Sequence, residues 1–270
     1  MLKAAGLILN VENQDAVRYA EKASAFFQRH HILTFNPQTD ECHLKPDLIV
    51  TFGGDGTLLI GAKYAMGYDI PLLGINLGTV GFLTEEDPDH LEEALEAIIH
   101  SRYVVESRSL LRILNRRSGE AFYALNDAVI TRGGYARLIR VDAYVNEKEY
   151  GTFTADGIIV ATPTGSTGYS LSAGGPIVEP DMNCMIMTPV CPHSMQHCPC
   201  IVSGSSDIRL LLKPGREQTA ELQIDGQNMG SLNAGDEILI TGADRQISLI
   251  RLHPYDFFGL MRRKLIEWGS

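Results

Sequence analysis

No stretch of this 270-residue chain reaches the roughly 18 consecutive apolar residues that a membrane-spanning helix needs, so a helical integral membrane protein is not expected. Basic residues are in deficit. The 23 Lys and Arg against 33 Asp and Glu leave a formal charge of −10, which repels phosphate backbones at long range and disfavours general nucleic-acid binding. Cysteine is scarce and odd in number: Cys42, Cys184, Cys191, Cys198 and Cys200 have no framework spacing. The N-terminal run lacks a signal peptide's apolar core, because Asn10 and Glu12 interrupt it early. The thiols are therefore expected to be reduced and the protein cytoplasmic. Repeats, low-complexity tracts and long flexible linkers are missing too. The composition that remains is 44% hydrophobic and 21% charged, which excludes a mostly disordered chain. The length suits one large domain or two modest ones.

The first hundred residues alternate strand and helix signals. Leu7-Ile8-Leu9 is a short apolar run, and Asn13 or Asp15 can cap a helix carrying Val17, Ala20, Ala23 and Phe27 on one face. The β-rich run Asp47–Phe52 stops at Gly53-Gly54, and Pro71–Ile75 ends at Asn76. Asp87-Pro88 reads as an N-cap with proline at the first helical position, followed by the stripe Leu91, Leu95, Ile98 and Ile99. Strands alternating with helices predict parallel βαβ units. After about residue 102 the runs become short and β-rich, as in Leu138–Val145, Gly157–Thr162, Ile208–Leu212, Glu221–Ile224 and Glu237–Thr241. Gly, Asn and Asp turns separate them, which predicts an antiparallel β domain. Phe257, Met261, Leu265 and Trp268 return to helical spacing in a segment that has nothing of its own to pack on.

Two constellations carry chemistry. In Gly53-Gly54-Asp55-Gly56-Thr57 a strand runs into three glycines before a helix suggested by Leu58, Leu59 and Ala62. Missing Cβ atoms let backbone N–H groups approach phosphate oxygens, and the helix N-terminus adds partial positive charge. The lysine of a Walker loop is missing. The Asp55 carboxylate could accept a proton from a substrate hydroxyl or hold Mg²⁺; the competing reading is a turn in which Asp-Gly serves backbone geometry alone. The second constellation runs from Asp156 through the strand Ile158–Ala161 to Thr162–Pro176. That segment is rich in glycine and hydroxyls and almost uncharged, so it is expected to lie outside the core and to offer amides, Ser/Thr donors and the Tyr169 ring to a nucleotide. Between the two, Asn126-Asp127 stands at one end of a strand; the carboxylate can bond ribose hydroxyls and the amide can read an adenine edge, although Asn-Asp is also an ordinary strand-start signal. Cys191, His193, His197, Cys198 and Cys200 invite a zinc reading, but their spacings are not those of common zinc modules, and buried thiols are expected instead.

Taken together these segments resemble the NAD kinase (ATP-NAD kinase) family. The pieces occur in family order: Gly53–Thr57, Leu73–Leu83, Asn126-Asp127, Asp156–Pro176, Thr188–Ser194 and Asp225-Gly226-Gln227. The glycine-flanked Asp55 alone is shared with lipid kinases and phosphofructokinases, whereas the Thr162–Pro176 run is specific. The resemblance implies an α/β, Rossmann-like domain with a parallel sheet over 1–101, an all-β sandwich over 102–252, and a C-terminal helix, 253–270, docking back on the first domain. It implies Mg²⁺-dependent transfer of a phosphoryl group from ATP to the 2′-hydroxyl of the adenosine ribose of NAD, in a homodimer or homotetramer. By the same resemblance Asp55 is the general base, and Gly53, Gly54 and Thr57 share its phosphate loop. The substrate contacts it implies are Gly56, Asn126, Asp127, Arg137, Thr154, Asp156, Thr164, Thr167, Gly168, Tyr169, Ser170, Leu171, Ser172 and Gln227. Thr154 stands where some members carry arginine, and Gly168 replaces a common alanine. A nucleotide sensor that binds without turnover is the alternative from another class, disfavoured on the ground that binding alone needs no unpaired carboxylate at Asp55.

Overall fold

The structure, a computed structural model, describes residues 2–40, 44–78, 81–84, 86–134, 138–193, 198–214 and 220–269, with the main chain alone from 265 onward. The chain forms two compact units, one of residues 1–107 with 247–270 and one of residues 108–246.

The first unit begins with β1 (Ala4–Leu9), α1 (Gln14–Arg29), β2 (Leu33–Phe35), β3 (Leu48–Gly53), α2 (Asp55–Tyr68), β4 (Leu72–Asn76), a 3-10 turn at Pro88–His90 and α3 (Leu91–Ile99). The four strands are parallel, in the order β2-β1-β3-β4, with Gly6 opposite Ile49 and Ile49 opposite Leu72. Asn13 caps α1, its side chain accepting from the Asp15 and Ala16 amides. The buried face carries Ala16, Ala20, Ala23 and Phe27, as well as Phe26, while Val17 is only half-buried, so the apolar stripe lies one position round from the predicted one. Asp87 caps the turn that opens onto α3, which buries Leu91, Ala94, Leu95 and Ile98. These side chains join Val50, Phe52, Leu73 and Ile75 in one core.

The second unit holds most of β5 (Val104–Asn115), β6 (Ala121–Ala124), β7 (Asp127–Arg132), β8 (Ile139–Val145), β9 (Lys148–Ala155), β10 (Gly157–Ala161), α4 (Tyr169–Ser172), β11 (Cys184–Val190), β12 (Cys200–Ser203), β13 (Asp207–Leu212), β14 (Ala220–Ile224), β15 (Gln227–Leu232) and most of β16 (Glu237–Arg251), the first four residues of β5 belonging to the first unit. One antiparallel sheet runs β12-β11-β10-β7-β14-β15, and a second contains β16-β13-β8-β9 with β5 and β6. Ile130, Ile158, Val160 and Met187 from the first sheet meet Val141, Phe153, Leu210 and Ile240 from the second, which makes a sandwich. The end of β16 returns to the first unit, where Leu249 pairs with Leu72 of β4, and α5 (Phe257–Gly269) follows. Phe257, Leu260 and Met261 of α5 pack around Phe82.

Two expectations need correction. The strand predicted to end at Thr241 continues to Arg251, because pairing carries it past the Gly242–Arg245 stretch whose composition reads as a break. The Thr162–Pro176 segment is also not excluded from the core. Thr162, Thr164, Ser166 and Ser170 are each at most 4% exposed, and Val129, Ile159, Ala161 and Ile186 of the sheet's outer face pack with Val178 just beyond the segment. That cover is why all five residues of β10 are buried. The segment can be buried without apolar side chains because its hydroxyls satisfy the backbone. The Ser166 hydroxyl donates to the Val178 carbonyl and accepts from its amide, both at 3.1 Å.

Candidate functional site

In the first unit β3 delivers Gly53 and Gly54 to the carboxyl edge of the parallel sheet, the side on which open α/β sheets bind ligands. Gly54 is the N-cap of α2 and offers no side chain to its amides, so the helix N-terminus stays uncapped. Asp55 stands in the first turn, with Gly56 exposed beside it and the Thr57 amide bonded to the Gly54 carbonyl at 3.0 Å. The Asp55 carboxylate is half-buried and engaged. Its Oδ2 accepts from the Phe82 amide at 2.8 Å, and its Oδ1 accepts from Leu83 at 3.1 Å and Thr84 at 3.3 Å. The premise of an unpaired carboxylate is therefore corrected, since three of about four acceptor positions hold backbone. The fit is tight: a Cβ on Gly81 would lie 2.1 Å from Asp55 Oδ1. A separate hollow of about 200 Å³ lies beside Asn76, Leu77 and Gly78, with Asp15, Arg18 and Asp87 also lining it.

In the second unit Asn126 and Asp127 lead into β7. Their backbone is clamped by Asp225, whose carboxylate accepts from the amides of Leu125 at 2.8 Å, Asn126 at 2.7 Å and Asp127 at 3.1 Å. Asp225 and Gly226 both have positive φ, 47° and 77°, at the tip of the β14–β15 hairpin, as a primed two-residue turn demands. Burial raises the Asp225 pKa against the opposing pull of its three amide bonds. Asp127 is 5% exposed, and burial first, then the Asp225 charge, pushes its carboxyl up to about 7. Near neutral pH it can either donate or accept a hydrogen bond. Asn126 Oδ1 is buried without a hydrogen-bond partner, an acceptor left for something else.

The 3-10 turn Thr164–Thr167 sits directly on Asn126. The Thr162 amide donates to the Asn126 carbonyl at 2.8 Å and the Thr162 hydroxyl to the Leu125 carbonyl at 2.6 Å. A Cβ on Gly165 would lie 2.1 Å from Asn126 O, so no side chain fits there. Gly168, Tyr169 and Leu171 line the outer part of the segment, where Tyr169 is 45% exposed. The tyrosine's pKa is raised by burial first, then by Cys191, Asp156 and Asp127, which places it among those groups. Asp156 pairs with Arg132 at 3.0 Å. Several predicted contact residues point into the protein: Ser170 Oγ meets Thr188 Oγ1 at 2.9 Å, Thr164 Oγ1 accepts from the buried Arg108, and the Thr167 hydroxyl donates to the Thr164 carbonyl. Ser172 closes α4, Thr154 lies half-buried on β9, and Gln227 is exposed as the first residue of β15. Arg137 lies outside the described residues, as do Cys42 and His197. Cys191 and Cys198 are exposed free thiols rather than buried ones, and among the described residues no group of three His, Cys, Asp or Glu could hold a metal.

The residues read from the sequence thus gather in two places, Gly53–Thr57 in the first unit and Asn126, Asp127 and Thr162–Ser172 in the second. Asp225 was singled out only as part of the Asp225-Gly226-Gln227 motif and not as a clamp on the Leu125–Asp127 backbone, and Arg251, whose Nη1 donates to the Leu83 carbonyl, was not singled out.

Two family models cover most of the chain. That of the ATP-NAD kinase N-terminal domain matches residues 6–103, and that of the ATP-NAD kinase C-terminal domain matches residues 125–252. A curated relative named NAD kinase from Carboxydothermus hydrogenoformans is 42% identical over 233 residues, covering 85% of this chain and 83% of its own. Another of that name, from Ruminiclostridium cellulolyticum, is 35% identical over 282 residues, covering 98% and 99%. Among solved structures, yeast NADH kinase complexed with NADH superposes with a TM-score of 0.87 at 26% identity, over 100% of this chain and 89% of that one. An NAD kinase from Archaeoglobus fulgidus in complex with ATP gives 0.75 at 26% identity, over 97% of each.

Proposed function

The chain belongs to the ATP-NAD kinase family, and we propose from that membership that it moves the terminal phosphoryl group of ATP to the 2′-hydroxyl of the adenosine ribose of NAD, with Mg²⁺ and with Asp55 as general base. ATP-dependent phosphorylation of NAD follows from the family. The observation that carries it is a carboxylate at the carboxyl edge of a parallel sheet, in the first turn of an uncapped helix. Phosphoryl transfer asks for positioning and for neutralisation of oxygen charge more than for covalent chemistry. The backbone amides at the start of α2 supply partial positive charge without adding a cation to the loop. The acceptor position that Asp55 keeps open beyond its three amide bonds is the one that takes the proton of the hydroxyl.

Asn126 and Asp127 hold the adenosine part of NAD. The open Asn126 Oδ1 takes an exocyclic amino group, and the Asp127 carboxyl bonds a ribose hydroxyl. Tyr169 gives an aromatic face, and Gly168 and Leu171 line the same wall; Asp156, Thr154, Ser172 and Gln227 are further contacts, with Arg137 a contact outside the described residues. Thr164, Thr167 and Ser170 act through the shape of the segment, since their hydroxyls are committed to protein atoms. Mg²⁺ would arrive on the ATP phosphates and supply charge neutralisation there. Magnesium commonly takes one or two carboxylates plus substrate phosphates rather than an all-protein cage. Among the described residues no helix is long and apolar enough to cross a membrane. Residence in the cytoplasm and assembly as a homodimer or homotetramer belong to the same proposal, the second read by light scattering.

The test is NADP formation from NAD, ATP and Mg²⁺ by purified protein, read with an NADP-specific dehydrogenase, with EDTA and no-ATP controls. Metal- and ATP-dependent NADP is expected. NAD binding by calorimetry without NADP from any triphosphate donor would replace the kinase with the sensor.

A further inference from the structure

The backbone that Asp55 holds is itself held from the other side. The Leu83 carbonyl accepts from Arg251 Nη1 at 3.2 Å and the Phe82 carbonyl from Tyr255 Oη at 3.4 Å. Arg251 is 4% exposed, its Nε donates to Glu106 Oε2, and its guanidinium lies 4.5 Å from the Tyr255 ring centre. The Phe82 ring is packed among Phe257, Leu260 and Met261. Phe82–Thr84 is therefore a short bar of backbone whose amides grip the carboxylate, while the Phe82 and Leu83 carbonyls are gripped by residues 173 and 168 positions later. All of these residues belong to the first unit.

We propose that Arg251, assisted by Tyr255, is a positioning residue for the phosphoryl transfer, fixing the orientation of the Asp55 carboxylate through the Phe82–Thr84 backbone. The inference rests on the reading of Asp55 as general base. Three amide bonds orient the carboxylate only as well as the amides themselves are fixed, and a three-residue backbone segment without helical or strand pairing needs outside partners to be fixed. The guanidinium suits the task because its rigid fork can donate to Glu106 and to the Leu83 carbonyl at once. An ammonium on a flexible stem cannot reproduce both directions. The buried Arg251–Glu106 pair is thus more than a strand-end ion pair, because it places one donor against the bar.

The experiment is a double-mutant cycle on the full-length protein with Arg251→Lys and Asp55→Asn, with Tyr255→Phe beside it, measuring kcat, KM for NAD and melting temperature. Arg251→Lys is expected to lower kcat about tenfold with KM for NAD within about threefold, and Tyr255→Phe to lower kcat by a smaller factor in the same pattern. In the Asp55→Asn background Arg251→Lys should change the residual turnover by less than about twofold, because nothing remains to orient. The same tenfold loss in both backgrounds would overturn the inference, since a merely structural arginine acts additively. Where residual turnover is too slow to read, unchanged kcat in folded Arg251→Lys and Tyr255→Phe overturns it, and a kcat loss at unchanged KM supports it. Tyr255→Phe keeps the test open should Arg251→Lys fail to fold, since it removes one hydroxyl from a half-buried ring. Wild-type turnover in Asp55→Asn is a separate outcome: it removes the reading of Asp55 itself, and the inference with it, whatever Arg251→Lys does.

Discussion

Two carboxylates in this chain each accept three consecutive backbone amides, Asp55 from Phe82, Leu83 and Thr84, and Asp225 from Leu125, Asn126 and Asp127. Three successive N–H groups form a concavity for an anion, and in both places the chain fills it with its own side chain. The surroundings differ. Asp55 sits in the first turn of a helix with an uncapped N-terminus, and its bar is gripped on the far side by Arg251 and Tyr255. Asp225 sits at a hairpin tip with positive φ, beside a second buried carboxyl, and burial raises the pKa of both. The same clamp thus appears once at the sheet edge where chemistry is proposed and once beneath Asn126 and Asp127, the residues proposed to hold the substrate. A carboxylate's bonding pattern therefore does not reveal its role; its neighbours do.

Substitutions at the two carboxylates should separate their roles. Asp55→Asn should lower kcat by about 10²–10⁴. It should also cost stability, on the order of 1–3 kcal/mol, because an amide accepts through only one oxygen and weakens the grip on Phe82–Thr84; a thermal melt reads this. Gly81→Ala keeps the carboxylate but drives a Cβ to 2.1 Å from Asp55 Oδ1, so kcat should fall at least tenfold with KM for NAD little changed. Normal turnover in that variant would show that the orientation seen for Asp55 does not matter. Asp225→Ala strips three amides of their acceptor, which should destabilise by about 2–4 kcal/mol and raise KM for NAD more than it lowers kcat. A kcat loss at unchanged KM would erase the distinction between the two clamps.

The pH dependence of stability sharpens the second region. Asp127 has an ordinary carboxyl pKa near 3.8 when unfolded and about 7 when folded, so between those values the folded state holds more protons. Its contribution is fully present below about pH 4 and is lost as pH rises through about 7. Asp225, raised as well, acts in the same direction. Denaturation midpoints should therefore fall from pH 5 to pH 8, and Asp127→Asn should flatten part of that fall. A wild-type midpoint that rises over this range would contradict the assignment. The smallest effect is expected from Gln227→Ala, which removes an exposed side chain and should change KM for NAD by no more than about threefold.

Much of this was legible in the sequence, for identifiable reasons. Glycine marks the end of β3 and the start of α2, Asn13 and Asp87 announce their helices, and the change from helical to strand periodicity after about residue 102 announces the antiparallel β unit. Composition misled where polar groups are satisfied internally. Thr162–Pro176 looks like a solvent-facing loop, yet Ser166, Ser170 and Thr162 bond to protein and are buried with it. Gly242, Asp244 and Arg245 hide the length of β16, which pairing rather than propensity sets. The holding roles of Arg251 and of Asp225, the latter read only as part of a motif, are invisible in one dimension because each acts on backbone far away in sequence, Leu83 and Leu125–Asp127.

The most direct test of the central claim is single-turnover NADP formation from saturating NAD, ATP and Mg²⁺ by Asp55→Asn beside the wild-type protein, with NAD affinity measured on the same samples. With Asp55 as general base, affinity should stay within a few-fold and the rate should fall by about 10²–10⁴. Tight binding together with a wild-type rate would contradict that assignment and return Asp55 to the role that Asp225 plays, a clamp on backbone and nothing more.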